Sequence, residues 1–151
     1  LQRARLSEGA QLFAILPGLV DPAAGLTNNA EPLADAVTIA MAERLATLAA
    51  DLASKAGTVI PEDRLGQEAA MLATKADVRE ELDRLRAHIL SARTLLSSGQ
   101  PAGRKLDFLA QEFMREANTL CSKAGSMELT NIGLALKSAV DQFKEQVANV
   151  E

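Results

Sequence analysis

The chain has 151 residues, 48% of them hydrophobic, and a formal net charge of −4. This length suits one domain with a buried core, and the acidic balance argues against a general nucleic-acid binder. No apolar run approaches the roughly 18 residues that a membrane-spanning helix needs, and the first residues lack the apolar segment of a signal peptide. The lone Cys121 excludes an intrachain disulfide. We therefore expect a cytoplasmic protein without membrane contact.

The first elements are interrupted by proline and glycine. Ser7 is a suitable N-cap for a short helix that stops at the Leu16-Pro17-Gly18 turn, and residues 21–29 have the Pro, Gly and Asn content of a loop. Asn29 is suited to cap a long helix that ends at Gly57. We predict a short helix and linker over residues 1–29 and a helical domain over residues 30–151.

The remaining chain predicts further helices and no strands. Pro61 is placed to begin a helix that either breaks near Ala76 or runs straight on, and residues 97–103 form a turn or loop. The last helix carries apolar residues at a spacing close to a heptad. They are Leu129, Ile132, Leu136, Val140, Phe143, Val147 and Val150. The predicted fold is all-α, an antiparallel helical bundle with a long C-terminal helix.

Two of these helices carry charged strips beside an apolar stripe. At about 100° per residue, the apolar residues between Val78 and Leu96 share one face, as do those between Leu106 and Leu120. Polar residues follow the edges at steps of four, three and four. The first strip is Asp77, Glu81, Arg84 and His88, and the second strip is Glu112, Glu116, Thr119 and Lys123. Carboxylates, a histidine and cations along a helix–helix seam are typical of a metal or acid–base site.

The chain resembles the YicC family in four segments: GRKLDFLAQEFMREANTLCSK, KEQVANVE, RLGQEAAMLATKADVREELDRLRAHI and the early ILPGLV. The resemblance is almost continuous from Asp63 to Glu151. It implies the helical C-terminal part of a bacterial cytoplasmic protein whose mixed α/β N-terminal domain is absent from this sequence. It also implies a metal-dependent endoribonuclease that assembles into hexameric rings around RNA, and whether the C-terminal part cuts RNA without the N-terminal part stays open.

The resemblance points to a site for Mg²⁺ or Mn²⁺ built from the strips. Glu112 and Glu116 lie one turn apart and can reach one ion, and Glu81 would complete the site if the two strips face each other. Asp107 lies on the other flank of its helix, so it would either serve as a metal ligand for a neighbouring subunit or form a salt bridge with Arg104 or Arg115. His88, as general acid or base near neutral pH, joins the three glutamates as a candidate catalytic residue.

RNA contacts are expected from cations and amides near the strips. The stretch from Arg79 to Lys105 has six Lys/Arg against three Asp/Glu, a local net charge of +3. The Arg104-Lys105 step opens a helix, where phosphate is also attracted by backbone N–H groups. The candidate RNA-binding residues are Arg84, Arg104, Lys105, Arg115, Asn118 and Lys123. No aromatic residue is placed as a stacking platform, so recognition would depend on backbone charge and shape.

Two other interpretations stay open at this point. The pairs Glu112–Arg115 and Glu116–Lys123 are spaced for ordinary ion pairs that only fix the packing, and His88 can be hydrogen-bonded within the seam. In that case the chain is a helical oligomerisation scaffold. Alternatively, it is an adaptor that binds RNA without cutting it.

Overall fold

The computed structural model describes residues 2–98 and 102–149, with side chains described from residue 14 onward. Helices account for most of these ranges, and no strand occurs within them, so the all-α prediction is confirmed. The helices are α1 (Gln2–Ala56), α2 (Glu62–Ala76), α3 (Arg79–Ser97), α4 (Gly103–Lys123) and α5 (Met127–Ala148). Val150, predicted to extend the last apolar stripe, lies outside the described residues.

Helix α1 is continuous where the sequence predicted a short helix, a loop and a second helix. It includes residues before Ser7 and contains three prolines. The predicted turn at residues 16–18, the loop at 21–29 and the N-cap at Asn29 are therefore wrong. The predicted end at Gly57 is confirmed, and its φ of 63° is the left-handed conformation that favours glycine after a helix. The proposed division of the chain at residue 30 falls inside this helix and stays a prediction.

A buried stripe explains why α1 runs through its prolines and glycines. Its members recur at steps of four and three: Leu16, Val20, Ala23, Thr27, Ala30, Ala34 and Val37. The Thr27 hydroxyl donates to the Ala23 carbonyl over 2.7 Å, which satisfies the buried polar atom. Packing of this stripe outweighs the low helix propensity of Pro and Gly, because most helical stability in proteins comes from tertiary contacts.

Four helices form the body of the bundle. Helix α5 packs mainly against α4 and α1, and α3 packs against both α1 and α4. The predicted apolar stripes of α3 and α4 are buried throughout, including Leu85, Leu106 and Ala117 at 0% exposure. The bundle therefore presses the inner faces of α3 and α4 together and brings their charged edges into line.

The outer arm is a thinner region, formed by residues 39–56 of α1 together with α2. Helix α2 packs against α1, and its last residue, Ala76, is its one buried residue. Several large apolar side chains of the arm are exposed: Ile39, Leu48, Leu52, Met71 and Leu72. Within the described residues, no helix combines the length and apolar character needed to cross a bilayer.

Candidate active site

The two charged strips face each other across the antiparallel seam between α3 and α4. At one end, Lys123 Nζ lies 2.7 Å from Glu81 Oε1, and in the middle Arg84 Nη1 lies 3.5 Å from Glu116 Oε1. One turn further along α3, His88 meets the second strip. Because α3 and α4 run in opposite directions, their matching four-three-four steps bring Arg84 to Glu116 and His88 to the two glutamates of α4.

His88, Glu112 and Glu116 form a compact group, called here the His88 group. One potential ligand atom from each residue lies within 4.8 Å of the other two. Glu116 is only 2% exposed, whereas His88 and Glu112 are half-buried. The two glutamates share a face of α4 because they are four residues apart, and His88 reaches them from α3. Donor atoms this close can share one divalent ion.

The environment of His88 leaves a ring nitrogen without a partner. Its ring packs edge-on against Phe113, with centroids 5.8 Å apart and planes at 74°. The Nε2 atom is buried and has no hydrogen-bond partner among the described residues. Buried polar atoms are normally hydrogen-bonded, so an unpartnered ring nitrogen in a histidine grouped with two carboxylates fits a metal ligand.

Arg84 supplies the positive charge nearest to the His88 group. Its guanidinium contacts both Glu80 and Glu116, and the contact with Glu80 is the closer. The pKa of Arg84 is raised above its ordinary value, mainly by the charge of Glu80; burial opposes this shift and Glu116 adds to it. Arg84 therefore stays charged and balances the negative charge that Glu116 carries into the core.

Comparisons with known proteins identify the family to which the region that carries this site belongs. A family model described as "Endoribonuclease YicC-like, C-terminal" matches residues 30–151. The chain belongs to the YicC-like family. It is 45% identical over 75 residues to "Probable endoribonuclease YicC" of Haemophilus influenzae, covering 50% of this chain and 26% of that protein. It is 36% identical over 74 residues to "Probable endoribonuclease YicC" of Clostridioides difficile, covering 49% and 25%. The match spans about a quarter of each curated relative.

Within this YicC-like domain, Glu81 lies outside the His88 group, one step along the seam. Its Oε1 accepts a hydrogen bond from Lys123, which also donates to the Asp77 carbonyl over 3.2 Å. Its Oε2 is buried and has no hydrogen-bond partner among the described residues. The α2–α3 break left open by the sequence occurs here, and Asp77 Oδ1 accepts the Arg79 N–H over 2.9 Å. Glu81 is thus a paired, buried carboxylate with one free oxygen.

Asp107 is also outside the His88 group. It is half-buried near the start of α4, and its Oδ2 accepts a hydrogen bond from Gln111 Nε2 over 2.9 Å. The structure therefore brings two of the four predicted metal ligands together, Glu112 and Glu116, and adds His88 to them. His88 was predicted as an acid or base and not as a ligand.

The predicted RNA-binding residues occupy three kinds of surface. Arg84 and Lys123 are held by seam carboxylates, as above. Arg115 is 71% exposed, with Nη1 3.9 Å from Glu112 Oε2, and Asn118 is exposed one turn along the helix. Arg104 and Lys105 are exposed at the start of α4 and line an open groove.

An aromatic side chain in that groove was missed by the sequence analysis, which expected no stacking platform. Phe108 is 59% exposed and lines the groove beside Arg104 and Lys105. The structure shows an exposed aromatic ring beside these cations, and the expectation about a stacking platform stays a prediction. A signal was present in the sequence, since Phe108 falls off the buried stripe of Leu106 and Leu109, shortly after two cations.

Proposed function

We propose that this chain provides the metal-binding, RNA-cleaving centre of an endoribonuclease. The observation that carries the proposal is the convergence of His88, Glu112 and Glu116 from two helices onto one point of the seam. The names of the relatives support it, because both are called probable endoribonucleases. The substrate class is RNA, and the reaction is hydrolysis of a phosphodiester bond.

The donor set of the His88 group suits a divalent metal that accepts nitrogen as well as oxygen. Imidazole with two carboxylates fits Mn²⁺ better than Mg²⁺, which prefers oxygen ligands and retained waters. When bound, such an ion would polarise a phosphodiester oxygen and lower the pKa of a bound water. The proposed holders are His88 Nε2 and one oxygen each of Glu112 and Glu116.

The other residues of the seam have supporting roles in this proposal. Arg84 already neutralises Glu116, and its side chain is 46% exposed, so it can also meet a phosphate oxygen. Phe113 packs against the His88 ring in a T-shaped contact and restricts its orientation. Lys123 and Glu81 hold the two helices in register at the far end of the seam.

Assembly into a homo-oligomeric ring around RNA, in the cytoplasm, belongs to the same proposal through the family resemblance. Asp107 is compatible with a role at a subunit boundary, because it does not join the His88 group of its own chain. In that arrangement its carboxylate would serve a neighbouring copy.

The experiment combines metal binding with cleavage. Mn²⁺ at about a hundredfold its dissociation constant should stabilise the wild-type chain by about 2.7 kcal/mol, because it binds only the folded state. The double variant Glu112→Gln with Glu116→Gln should lose both this shift and Mn²⁺-dependent cleavage of single-stranded RNA. Glu62→Gln with Glu68→Gln, on the exposed face of α2, is the matched control and should keep both. If Mn²⁺ stabilises the Glu112→Gln, Glu116→Gln variant as much as the wild-type chain, the His88 group is rejected as the metal site.

A scaffold function is the second candidate, favoured by the exposed apolar side chains of the outer arm. The seam itself does not need a partner for its ion pairs, since Glu81–Lys123 and Arg84–Glu116 form within one chain. If Leu48→Glu dissociates an oligomer of the chain, and the wild-type chain neither binds Mn²⁺ nor cuts RNA, a scaffold function describes the chain better than a nuclease function. RNA binding without any cleavage in the presence of Mn²⁺ would favour the adaptor.

A further inference from the structure

The seam between α3 and α4 opens into a groove immediately beyond the His88 group. The groove has a volume of about 610 Å³, within the range of small-ligand sites. Its lining residues are Leu90, Ser91, Thr94 and Leu95 from α3, and Arg104, Lys105, Phe108 and Leu109 from α4. Ser91 lies on the same edge of α3 as His88, and Lys105 lies on the same edge of α4 as Glu112. The groove therefore begins one to two helical turns from the His88 group, roughly 5–10 Å along the helices.

The two cations of the groove differ from the other cations on this side of the molecule. Between residues 79 and 123, within the described ranges, the other arginine and lysine residues each form an ion pair with a carboxylate. They are Arg79, Arg84, Arg86, Arg93, Arg115 and Lys123. Arg104 and Lys105 have no such partner among the described residues and are exposed. Their charge is therefore available to an anionic ligand.

The apolar side chains of the groove are unusually exposed for this bundle. Phe108 is 59% exposed and Leu90, facing the groove from α3, is 68% exposed. An exposed aromatic ring beside unpaired cations is the combination that binds single-stranded nucleic acid, with bases stacked on the ring and phosphates held by the cations. The hydroxyls of Ser91 and Thr94 already donate to their own helix, so the groove has few directed polar contacts.

We propose that this groove is a subsite for an unpaired RNA nucleotide next to the phosphate at the His88 group. Phe108 stacks on the nucleobase, Leu90 packs against its edge, and Arg104 and Lys105 contact the flanking phosphates. The inference depends on the proposed function in taking RNA as the ligand. It adds a position along the strand, a preference for unpaired over paired nucleotides, and tolerance of all four bases, because every base has a stacking face.

The test measures RNA binding in EDTA, so that neither metal binding nor cleavage is required. The probe is a fluorescent single-stranded 12-nucleotide RNA, compared with a 12-base-pair RNA duplex and with a strand of the same length lacking bases. Phe108→Ala should weaken binding of the single strand about tenfold, because stacking on one aromatic ring is lost. Phe108→Trp should retain wild-type affinity, and binding of the strand without bases should not change with either substitution.

Leu134→Ala is the matched control, since Leu134 is 53% exposed on α5, outside the groove. It should leave RNA affinity unchanged. Circular dichroism should show that all three variants fold, because each replaces an exposed side chain.

Two results would overturn the inference: wild-type affinity of Phe108→Ala for the single strand, or no RNA binding by the wild-type chain. If Phe108→Ala keeps its RNA affinity and also changes the oligomeric state measured by sedimentation, the groove is a contact with a second copy. If RNA binding depends on Phe108 but the chain does not bind Mn²⁺ or does not cleave RNA, only the proposed metal chemistry is rejected.

Discussion

The α3–α4 seam and the outer arm are both built from two neighbouring helices, but they treat polar and apolar groups in opposite ways. The seam carries two glutamates that are at most 3% exposed, and each has a cation against it. The arm leaves Leu48 and Leu52 about half exposed and keeps its charges on the surface. Burying a charged group costs free energy unless a partner pairs with it, and a large exposed apolar patch is unusual unless another surface covers it.

The compensation differs between the two regions. In the seam it is visible within the chain, as Arg84 and Lys123, and it is incomplete only at His88 Nε2 and Glu81 Oε2 among the described residues. In the arm, the described residues offer no cover for the apolar side chains. The seam therefore leaves two buried polar atoms unpartnered among the described residues, and the proposed function places a metal at one of them, His88 Nε2, whereas the arm leaves apolar surface exposed.

The largest expected contrast concerns packing. Leu85→Ala removes a side chain with 0% exposure from the seam. It should reduce the free energy of unfolding by about 3 kcal/mol, through lost burial and the cavity left behind. Leu48→Ala, in the arm, should change it by no more than about 0.5 kcal/mol. Urea denaturation midpoints of the two variants give the comparison. Similar losses would mean that Leu48 is buried in solution and that the arm is covered.

A smaller effect is expected from charge. Lys123→Met leaves Glu81 buried without its partner. The loss should destabilise the fold by about 2 kcal/mol, which is below the range for fully buried pairs because the Lys123 side chain is one-third exposed. Lys144→Met, which removes an exposed lysine from α5, should be nearly neutral.

The combined variant Glu81→Met with Lys123→Met should recover most of the lost stability, because no unpaired charge remains. Chemical denaturation of the wild-type chain and these variants gives the comparison. A double variant as unstable as Lys123→Met alone would show that Glu81 does more than pair with Lys123.

The smallest contrast concerns two glycines within helices. A Cβ at Gly133 would overlap Cys121 Sγ and crowd Leu120. Gly133→Ala should therefore destabilise the α4–α5 contact by about 1–2 kcal/mol. Gly66, in the arm, has open space around it, and Gly66→Ala should stabilise by about 0.5–1 kcal/mol through helix propensity. Thermal unfolding of both variants is sufficient. Stabilisation by Gly133→Ala would mean that α4 and α5 pack more loosely than described.

The sequence predicted the seam well because its residues repeat with the helical period. Residue spacing alone predicts the apolar stripes of α3 and α4 and the polar edges beside them. Antiparallel packing then brings Arg84 to Glu116 and His88 to Glu112. The partner of Lys123 was not predictable in this way. Glu116 is two turns away on the same helix and Glu81 is across the seam, and only the packing of the two helices selects Glu81.

Helix α1 shows where such reasoning fails. Three prolines and two glycines between residues 17 and 32 indicated a loop, but the buried stripe of small residues runs through them without a change of step. Alanine and threonine give a weak hydrophobic signal, so the low helix propensity of Pro and Gly dominates the sequence pattern in this segment. Phe108 is a different case, because its residue type indicates a core side chain whereas its position off the buried stripe of α4 places it on the surface.

The unbroken course of α1 has a mechanical consequence. The helix has 55 residues, which makes it roughly 80 Å long at about 1.5 Å per residue. Its inner half packs on α3, the helix that carries His88. A ligand bound at the arm would therefore contact the same helix whose longer part packs against the helix that carries His88. Under the proposed assembly, a subunit contact made by the arm would act on the same continuous helix that packs against α3.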